Sequence, residues 1–173
     1  MEDKFSFIVN GKTIVTTEDV NLLDFLRDDL GLISVKDGCK EGACGTCTIL
    51  VDGKAMKSCI FTTKKVAGKE ITTIEGFTER EKEVFAYAFT ECGAVQCGFC
   101  IPGMVVAAKA LFLRTLDPTS DEVKKALVGN ICRCTGYVKI EQAIMLAAKL
   151  FRENTPVPHR ECKGLIGTNV HRV

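Results

Sequence analysis

The sequence lacks an excess of charge and a long apolar run, and each absence excludes a class of protein. Its 173 residues include 23 basic and 22 acidic side chains, for a formal net charge of +1, with no sustained basic run. This balance argues against a surface for nucleic acid or an anionic membrane. No apolar stretch approaches the roughly 20 residues of a membrane span, and the acidic N-terminus has too short an apolar run for a signal peptide. We expect a cytoplasmic protein with no nucleic-acid and no membrane partner.

Cysteine is the most informative residue type in the sequence. The chain has ten cysteines and a hydrophobic content of 46%, which is enough for a real core in one large domain or two small ones. Cytosolic thiols are kept reduced, so cysteines in a chain that is not exported indicate metal ligands or redox groups rather than a disulfide framework.

The first half of the chain shows strand patterns around one short helical pattern. Asn10-Gly11 is the signal for a type I′ turn between two strands, and Gly31 is a helix stop. The order of the elements is the one expected of a β-grasp domain. The predicted elements are strands over 4–9 and 12–16, a helix with Leu22, Leu23, Leu26 and Leu30 on one face, strands over 48–51 and 54–60 around Asp52-Gly53, and a closing strand over 70–74.

From about residue 78 the apolar period changes from two to 3.6, which predicts four helices with short links and therefore a bundle. Residues 154–173 lack this period and contain two prolines, which indicates an extended tail. We expect an N-terminal domain over 1–76, a helical domain over 77–153 and the tail. The predicted helices begin at a Thr78 and Glu81 capping box, run from Pro102 toward Arg114, run from a Ser120 cap to near Gly129, and span 138–151.

The first group of cysteines has the spacing of a plant-type [2Fe–2S] site. Glycines interleave with these cysteines and allow positive φ angles and close backbone approach to sulfur. A structural zinc site usually shows two short cysteine knuckles, whereas here three cysteines crowd into one loop. The cysteines are Cys39, Cys44, Cys47 and Cys59, and the glycines are Gly38, Gly42 and Gly45.

A second group of cysteines lies in two turns of the helical half. Cys97 and Cys100 precede the Pro102 helix, and Cys132 and Cys134 precede the last helix, so two facing turns would supply four thiolates. The residues alone are also compatible with a thioredoxin-like dithiol or half of a zinc site. Cys92 repeats the spacing of the first loop, but its helical phase favours core packing.

Three motifs together resemble a known family. DGCKEGACGTCTILVDGK, GAVQCGFCIPGM and GNICRCTGY occur in that order, and the resemblance extends over nearly all of 5–151. They resemble the iron–sulfur subunit of molybdenum hydroxylases of the xanthine dehydrogenase and aldehyde oxidase family. The resemblance implies an α+β chain, in which a ferredoxin-like β-grasp domain precedes an all-α four-helix-bundle domain and each domain binds one [2Fe–2S] cluster. The implied ligands are Cys39, Cys44, Cys47 and Cys59 for the first cluster, and Cys97, Cys100, Cys132 and Cys134 for the second.

The resemblance also implies partners. The helical-domain cluster would stand beside the molybdopterin of a large catalytic subunit, and the ferredoxin-like cluster would face an FAD subunit. Gln96 matches a position whose amide contacts the pterin, and a polar residue at a helix–turn junction is the less favoured alternative. Ile101 departs from the threonine that the family commonly has there. The last residues, GLIGTNVHRV, resemble the opening of the molybdopterin-binding chain, so we expect residues from about Asn154 to lie along that subunit.

The function that the resemblance implies is electron transfer from molybdenum to FAD inside a hetero-oligomer, with a dimer of heterotrimers as one arrangement. The substrate, for which xanthine or a related purine is the first expectation, would bind another chain. A free-standing two-cluster ferredoxin is the alternative, although diffusing carriers generally use a strong charge bias that this chain lacks. A zinc interaction module conflicts with the first loop. His159 and Cys162 in the tail are more simply incidental than a further metal site.

Overall fold

The computed structural model describes residues 4–158, which form a mixed five-stranded sheet followed by a group of helices. The sheet order is β2-β1-β5-β3-β4, with β1 parallel to β5 and the other pairs antiparallel. The predicted α+β class, with a β-grasp sheet ahead of a helical half, is confirmed. The strands are β1 (Phe5–Val9), β2 (Lys12–Thr16), β3 (Thr48–Val51), β4 (Lys54–Lys57) and β5 (Glu70–Thr72).

The first hairpin closes as the sequence predicts. Asn10 and Gly11 have φ angles of 50° and 78°, as a type I′ turn requires at both central positions. The Asn10 side chain also ties this turn to the end of β5. Its Nδ2 donates to Thr73 Oγ1 at 2.9 Å, and its Oδ1 accepts from the Thr73 N–H at 2.9 Å.

The helix predicted before the first cysteine loop changes type along its length. One α-helical turn, α1 (Leu22–Asp24), continues as a π-helical turn over Phe25–Asp29, where Leu30 N–H bonds to Phe25 O at 3.1 Å. Phe25 and Leu26 are both buried in this wider turn, on the same side as Leu22. The Phe25 ring packs edge-on against the Phe7 ring of β1, with the two ring centroids 5.9 Å apart.

Two predicted strands end earlier than the apolar pattern indicates. The strand predicted over 54–60 stops at Lys57, and Ser58–Ile60 form a 3₁₀ turn. The cause is local, because both the N–H and the hydroxyl of Ser58 donate to Cys47 O, at 3.1 and 3.0 Å. This turn brings Cys59 back toward the first cysteine loop. The closing strand likewise stops at Thr72, two residues before its predicted end.

The second half contains the four predicted helices: α2 (Glu79–Glu91), α3 (Ile101–Phe112), α4 (Ser120–Ala126) and α5 (Val138–Arg152). The Thr78 and Glu81 capping box is confirmed. The Ser120 cap is wrong, because Thr119 Oγ1 accepts the Glu122 N–H and forms a second capping box, which leaves Ser120 as the first helical residue. Pro102 is the second residue of α3 rather than the first.

The two halves share apolar packing. Leu50 of β3 belongs to the buried cluster of the helical half. In that cluster the ring of Phe85 stacks on the ring of Phe112, with ring centroids 5.7 Å apart, and the partly buried ring of Phe151 packs edge-on to both. After α5 the chain returns over α2, where Thr155 O accepts a hydrogen bond from Arg80. The rest of the predicted tail, with His159 and Cys162, lies outside the described residues. None of the helices over residues 4–158 has the length and hydropathy needed to cross a membrane.

The Thr78 cap provides a test of the helical half. Thr78→Ala removes the side-chain acceptor of the Glu81 N–H, which costs about 1 kcal/mol and should lower the melting temperature by about 2–4 °C for a chain of this size. Thr78→Ser keeps the acceptor and should melt as the parent chain does. Equal losses in the two variants, measured by circular dichroism, would contradict this account of the cap.

Candidate metal centres

The first cysteine loop connects the π-helical turn to β3. Cys47 is buried at the start of β3 and Cys59 is buried in the 3₁₀ turn after β4, whereas Cys39 and Cys44 are partly exposed. Gly42 and Gly45 adopt φ angles of 73° and 72°, in the left-handed region that glycine enters without strain.

Backbone N–H groups in this loop point at sulfur. The amides of Cys44 and Glu41 donate to Cys39 Sγ at 3.5 and 3.4 Å. These amides, Cys44 first, lower the pKa of the Cys39 thiol to about 7. An environment that stabilises the thiolate is the one a metal ligand needs.

Cys59 has the opposite environment. Burial, together with a hydrogen bond between its thiol and that of Cys47, raises the pKa of Cys59 to about 11. Without a neighbouring positive charge Cys59 stays protonated, whereas a bound metal deprotonates a coordinating thiol outright. Cys59 therefore fits a metal-bound state better than a free thiolate.

The loop leaves no room for a side chain at Gly38. A Cβ there would lie 2.6 Å from Thr46 Oγ1 and 3.0 Å from Cys44 Sγ. Lys57 Nζ clamps the outer side of the loop by donating to Gly42 O at 2.5 Å. The backbone is thus wrapped closely around sulfur, as a cluster cradle requires.

The second group of cysteines comes together from two helix-terminal turns. Cys97 and Cys100 lie at the start of α3, and Cys132 and Cys134 lie between α4 and α5. Cys97 Sγ and Cys134 Sγ are 3.7 Å apart, and the Cys100 thiol is hydrogen-bonded to that of Cys132. Burial, with a smaller contribution from Cys132, raises the pKa of Cys100 to about 12.

Hydrogen-bond donors offset burial at Cys132. Burial alone would raise its pKa, but hydrogen bonds lower the pKa of Cys132 overall. They come from the hydroxyl and the N–H of Thr135, 3.0 and 3.4 Å from Cys132 Sγ, and from the Cys134 N–H and the Cys100 thiol. Tyr137 holds the same turn, since its hydroxyl accepts from the Cys132 N–H at 2.8 Å and donates to Asn130 O at 3.3 Å. Tyr137 itself has a φ of 71°, a strained value for a non-glycine residue.

Sequence reasoning missed these supporting residues. Thr46, Thr135 and Tyr137 all contact a cysteine or its backbone, and each stands within five residues of one. The sequence feature that could have identified them is a hydroxyl-bearing residue soon after a pair of cysteines. A hydroxyl at that position can donate a hydrogen bond to thiolate sulfur.

The sulfur atoms associate in pairs rather than around single points. Within residues 4–158, no three His, Cys, Asp or Glu side chains are grouped as one metal ion would require. Two pairs at each site suit a cluster of two irons, each bound by two thiolates. The pairs are Cys39 with Cys44, Cys47 with Cys59, Cys97 with Cys134, and Cys100 with Cys132.

Other predicted residues lie at the edge of these sites or away from them. Cys92 ends α2 and packs against the helical core, where burial raises its pKa; no thiol in the described part of the chain contributes to that shift. Gln96 is exposed next to Cys97. Ile101 packs partly against the helical core.

The low pKa of Cys39 predicts its reactivity in the metal-free chain. A neutral alkylating reagent should modify Cys39 before Cys59 or Cys100 at pH 7, and the rate should fall as the pH drops below about 7, because only the thiolate reacts. Peptide mass mapping over a pH series measures this order. A Cys39→Ser chain should lose the fast reaction, and faster labelling of Cys100 would contradict the assignment.

Comparison with known proteins matches both halves of the chain. A model described as 2Fe-2S iron-sulfur cluster binding domain matches residues 7–73, and one described as [2Fe-2S] binding domain matches residues 73–145.

Individual relatives agree along most of the chain. The nicotinate dehydrogenase small FeS subunit of Eubacterium barkeri is 45% identical over 139 residues, covering 80% of this chain and 88% of that one. The xanthine dehydrogenase iron-sulfur-binding subunit of Escherichia coli O157:H7 is 43% identical over 127 residues, covering 72% and 79%. In the crystal structure of quinoline 2-oxidoreductase from Pseudomonas putida 86, a 38% identical chain superposes with a TM-score of 0.79, covering 87% of this chain and 96% of that one. This chain therefore belongs to the iron–sulfur, electron-transfer subunits of molybdenum hydroxylases of the xanthine dehydrogenase and aldehyde oxidase family.

Proposed function

We propose that this chain holds one [2Fe–2S] cluster at each cysteine group and passes single electrons between cofactors bound to partner subunits. The observation that carries the proposal is the pairing of eight thiols into two sites of four. When bound, each cluster supplies one-electron redox chemistry. The proposed ligands are Cys39, Cys44, Cys47 and Cys59 at the first site, and Cys97, Cys100, Cys132 and Cys134 at the second.

The chain's own residues stabilise negative charge at these sites. A [2Fe–2S] core with four thiolates carries a formal charge of about −2, so its sulfur atoms need donors nearby. The amides of Glu41 and Cys44 serve the first site, and the N–H and hydroxyl of Thr135 serve the second. Buried Cys47 and Cys100 keep water from one side of each site.

The surface around the second site favours a partner there. Cys97 and Cys134 are exposed, and so are three apolar neighbours, Val95, Phe99 and Ile131. Exposed apolar side chains grouped around a redox site are typical of an interaction surface. We place the molybdopterin subunit on this side, within reach of exposed Gln96, whose amide is the proposed pterin contact.

The remaining assignments follow the family. We propose that an FAD subunit receives electrons from the first site, whose Cys39 is partly exposed, in a cytoplasmic hetero-oligomer that includes the dimer of heterotrimers among its arrangements. Relatives named for nicotinate and xanthine make a nitrogen heterocycle the favoured substrate class, with xanthine or another purine as one member. That substrate would bind the molybdopterin subunit.

The ligand sets predict the iron content of variants. Anaerobically purified chain should contain about four iron and four sulfide ions, since it holds two [2Fe–2S] clusters. Cys59→Ser and Cys132→Ser should each reduce this to about two, and each should remove a different electron paramagnetic resonance (EPR) signal.

Cys92→Ser is the matched control. It also replaces a partly buried thiol, but one that packs against the helical core, so both signals should remain. Loss of the second signal in Cys92→Ser would overturn the ligand assignment, and zinc in place of iron would overturn the electron-transfer role.

Deletion of the tail tests whether it binds the molybdopterin subunit. Thr155 and Val157 contact the helical half of this chain, so deleting residues 159–173 leaves those contacts in place. The truncated chain should keep about four iron ions but copurify poorly with the molybdenum-containing subunit. Unchanged assembly of the truncated chain would show that the tail does not lie along that subunit.

A further inference from the structure

We propose that Asn130 is a positioning residue that holds the first cysteine loop against the second and thereby sets the electronic contact between the two redox sites. This inference rests on the proposed function. Asn130 precedes Cys132 by two positions and is 7% exposed. It is not one of the proposed ligands, so it would act through the loops that carry them.

The Asn130 amide reaches across to the first loop. Its Nδ2 donates to Gly45 O at 2.9 Å and to Thr48 Oγ1 at 3.2 Å. Thr48 Oγ1 in turn donates to Gly45 O at 2.6 Å. Gly45 and Thr48 each directly follow a proposed ligand, so a single side chain of the second loop fixes the backbone beside Cys44 and Cys47.

The next residue bridges the two sites directly. Ile131 N–H donates to Cys44 O at 2.8 Å, and Ile131 is bonded to Cys132. Covalent bonds interrupted by one hydrogen bond therefore connect a proposed ligand of the first site with one of the second. The step that this contact serves is the transfer of one electron, in which one site is oxidised and the other reduced without any bond being made or broken.

Backbone contacts around Gly45 show how close the two loops are. A Cβ on Gly45 would lie 2.3 Å from Gly129 O, and a Cβ on Gly103 of α3 would lie 2.3 Å from Gly45 O. The loops meet backbone to backbone, so loss of the Asn130 side-chain hydrogen bonds would increase the distance between the two loops at the point where the sites are joined.

The test uses the full chain with both sites loaded and fully reduced. Magnetic interaction between two reduced clusters splits their EPR signals and weakens steeply with distance and with loss of the bonded path. Asn130→Ala removes the clamp, and Asn130→Asp keeps the shape but has no donor for Gly45 O. We expect both variants to retain about four iron ions and to show a reduced splitting when fully reduced. When each chain is given only one electron and frozen rapidly at increasing times, electron equilibration between the sites should also be slower in both variants.

Asn10→Gly is the matched control. Asn10 also makes two side-chain hydrogen bonds between distant segments, but it does so at the first hairpin, and glycine accepts its positive φ. This variant should lose stability while its splitting stays at the parent value. A reduced splitting in Asn10→Gly would show that general loosening, not the Asn130 clamp, controls the contact.

Parent-like splitting and equilibration in iron-replete Asn130→Ala and Asn130→Asp would overturn the inference. If those variants fail to retain iron, Thr48→Val serves instead, because it removes two of the three hydrogen bonds that join Asn130, Thr48 and Gly45. Its splitting should also fall, and an unchanged splitting would overturn the inference. Failure of the proposed function is distinguishable, because the parent chain itself would then contain fewer than about four iron ions.

Discussion

The whole structure depends on a single electrostatic requirement, which is to keep thiolates inside protein loops. Burial alone opposes this requirement, as the raised pKa values of Cys59 and Cys100 show. Donors aimed at sulfur work in the other direction at Cys39 and Cys132, where the pKa falls. A bound metal provides the remaining positive charge. The glycine-rich backbone follows from the same requirement, since Gly42 and Gly45 supply the positive φ angles of the loop and Gly38 leaves room for Cys44 Sγ.

The strands and helices fix the positions of the ends of these cysteine loops. β3 begins directly after Cys47, and α3 begins directly after Cys100. Sites supported at the ends of strands and helices are held more precisely than sites within long loops. The buried sheet and the aromatic stack of the helical half therefore contribute to function by fixing where the cysteines lie. Cys47 and Cys59 belong to the buried cluster of the sheet half, and Cys100 and Cys132 belong to that of the helical half.

The arrangement also supports the proposal that the chain forms one electron path rather than two independent sites. Leu50 joins the sheet to the helical core, and the two cysteine loops meet where Gly45 lies against the backbone of Gly129 and the side chain of Asn130. Each site nevertheless keeps an accessible edge, at Cys39 for the first and at Cys97 and Cys134 for the second. An electron-transfer subunit needs both features, since electrons must enter and leave as well as cross between the sites.

The sequence by itself determined the fold class, the first hairpin, the α2 capping box and the grouping of the first four cysteines, because turn signals, caps and ligand spacing are local properties of the chain. The second group of four rested on the resemblance of three motifs to a known family, since its two pairs lie in separate turns. It did not determine the π-helical turn, the early end of β4 or the Thr119 cap. Those features depend on which atoms compete for a hydrogen bond, as when Cys47 O captures the N–H and hydroxyl of Ser58. Nor did it indicate Asn130, whose partners lie more than 80 residues away. Only the tertiary structure decided how the sulfur atoms pair and how the loops meet, because both depend on contacts between segments that spacing along the chain does not encode.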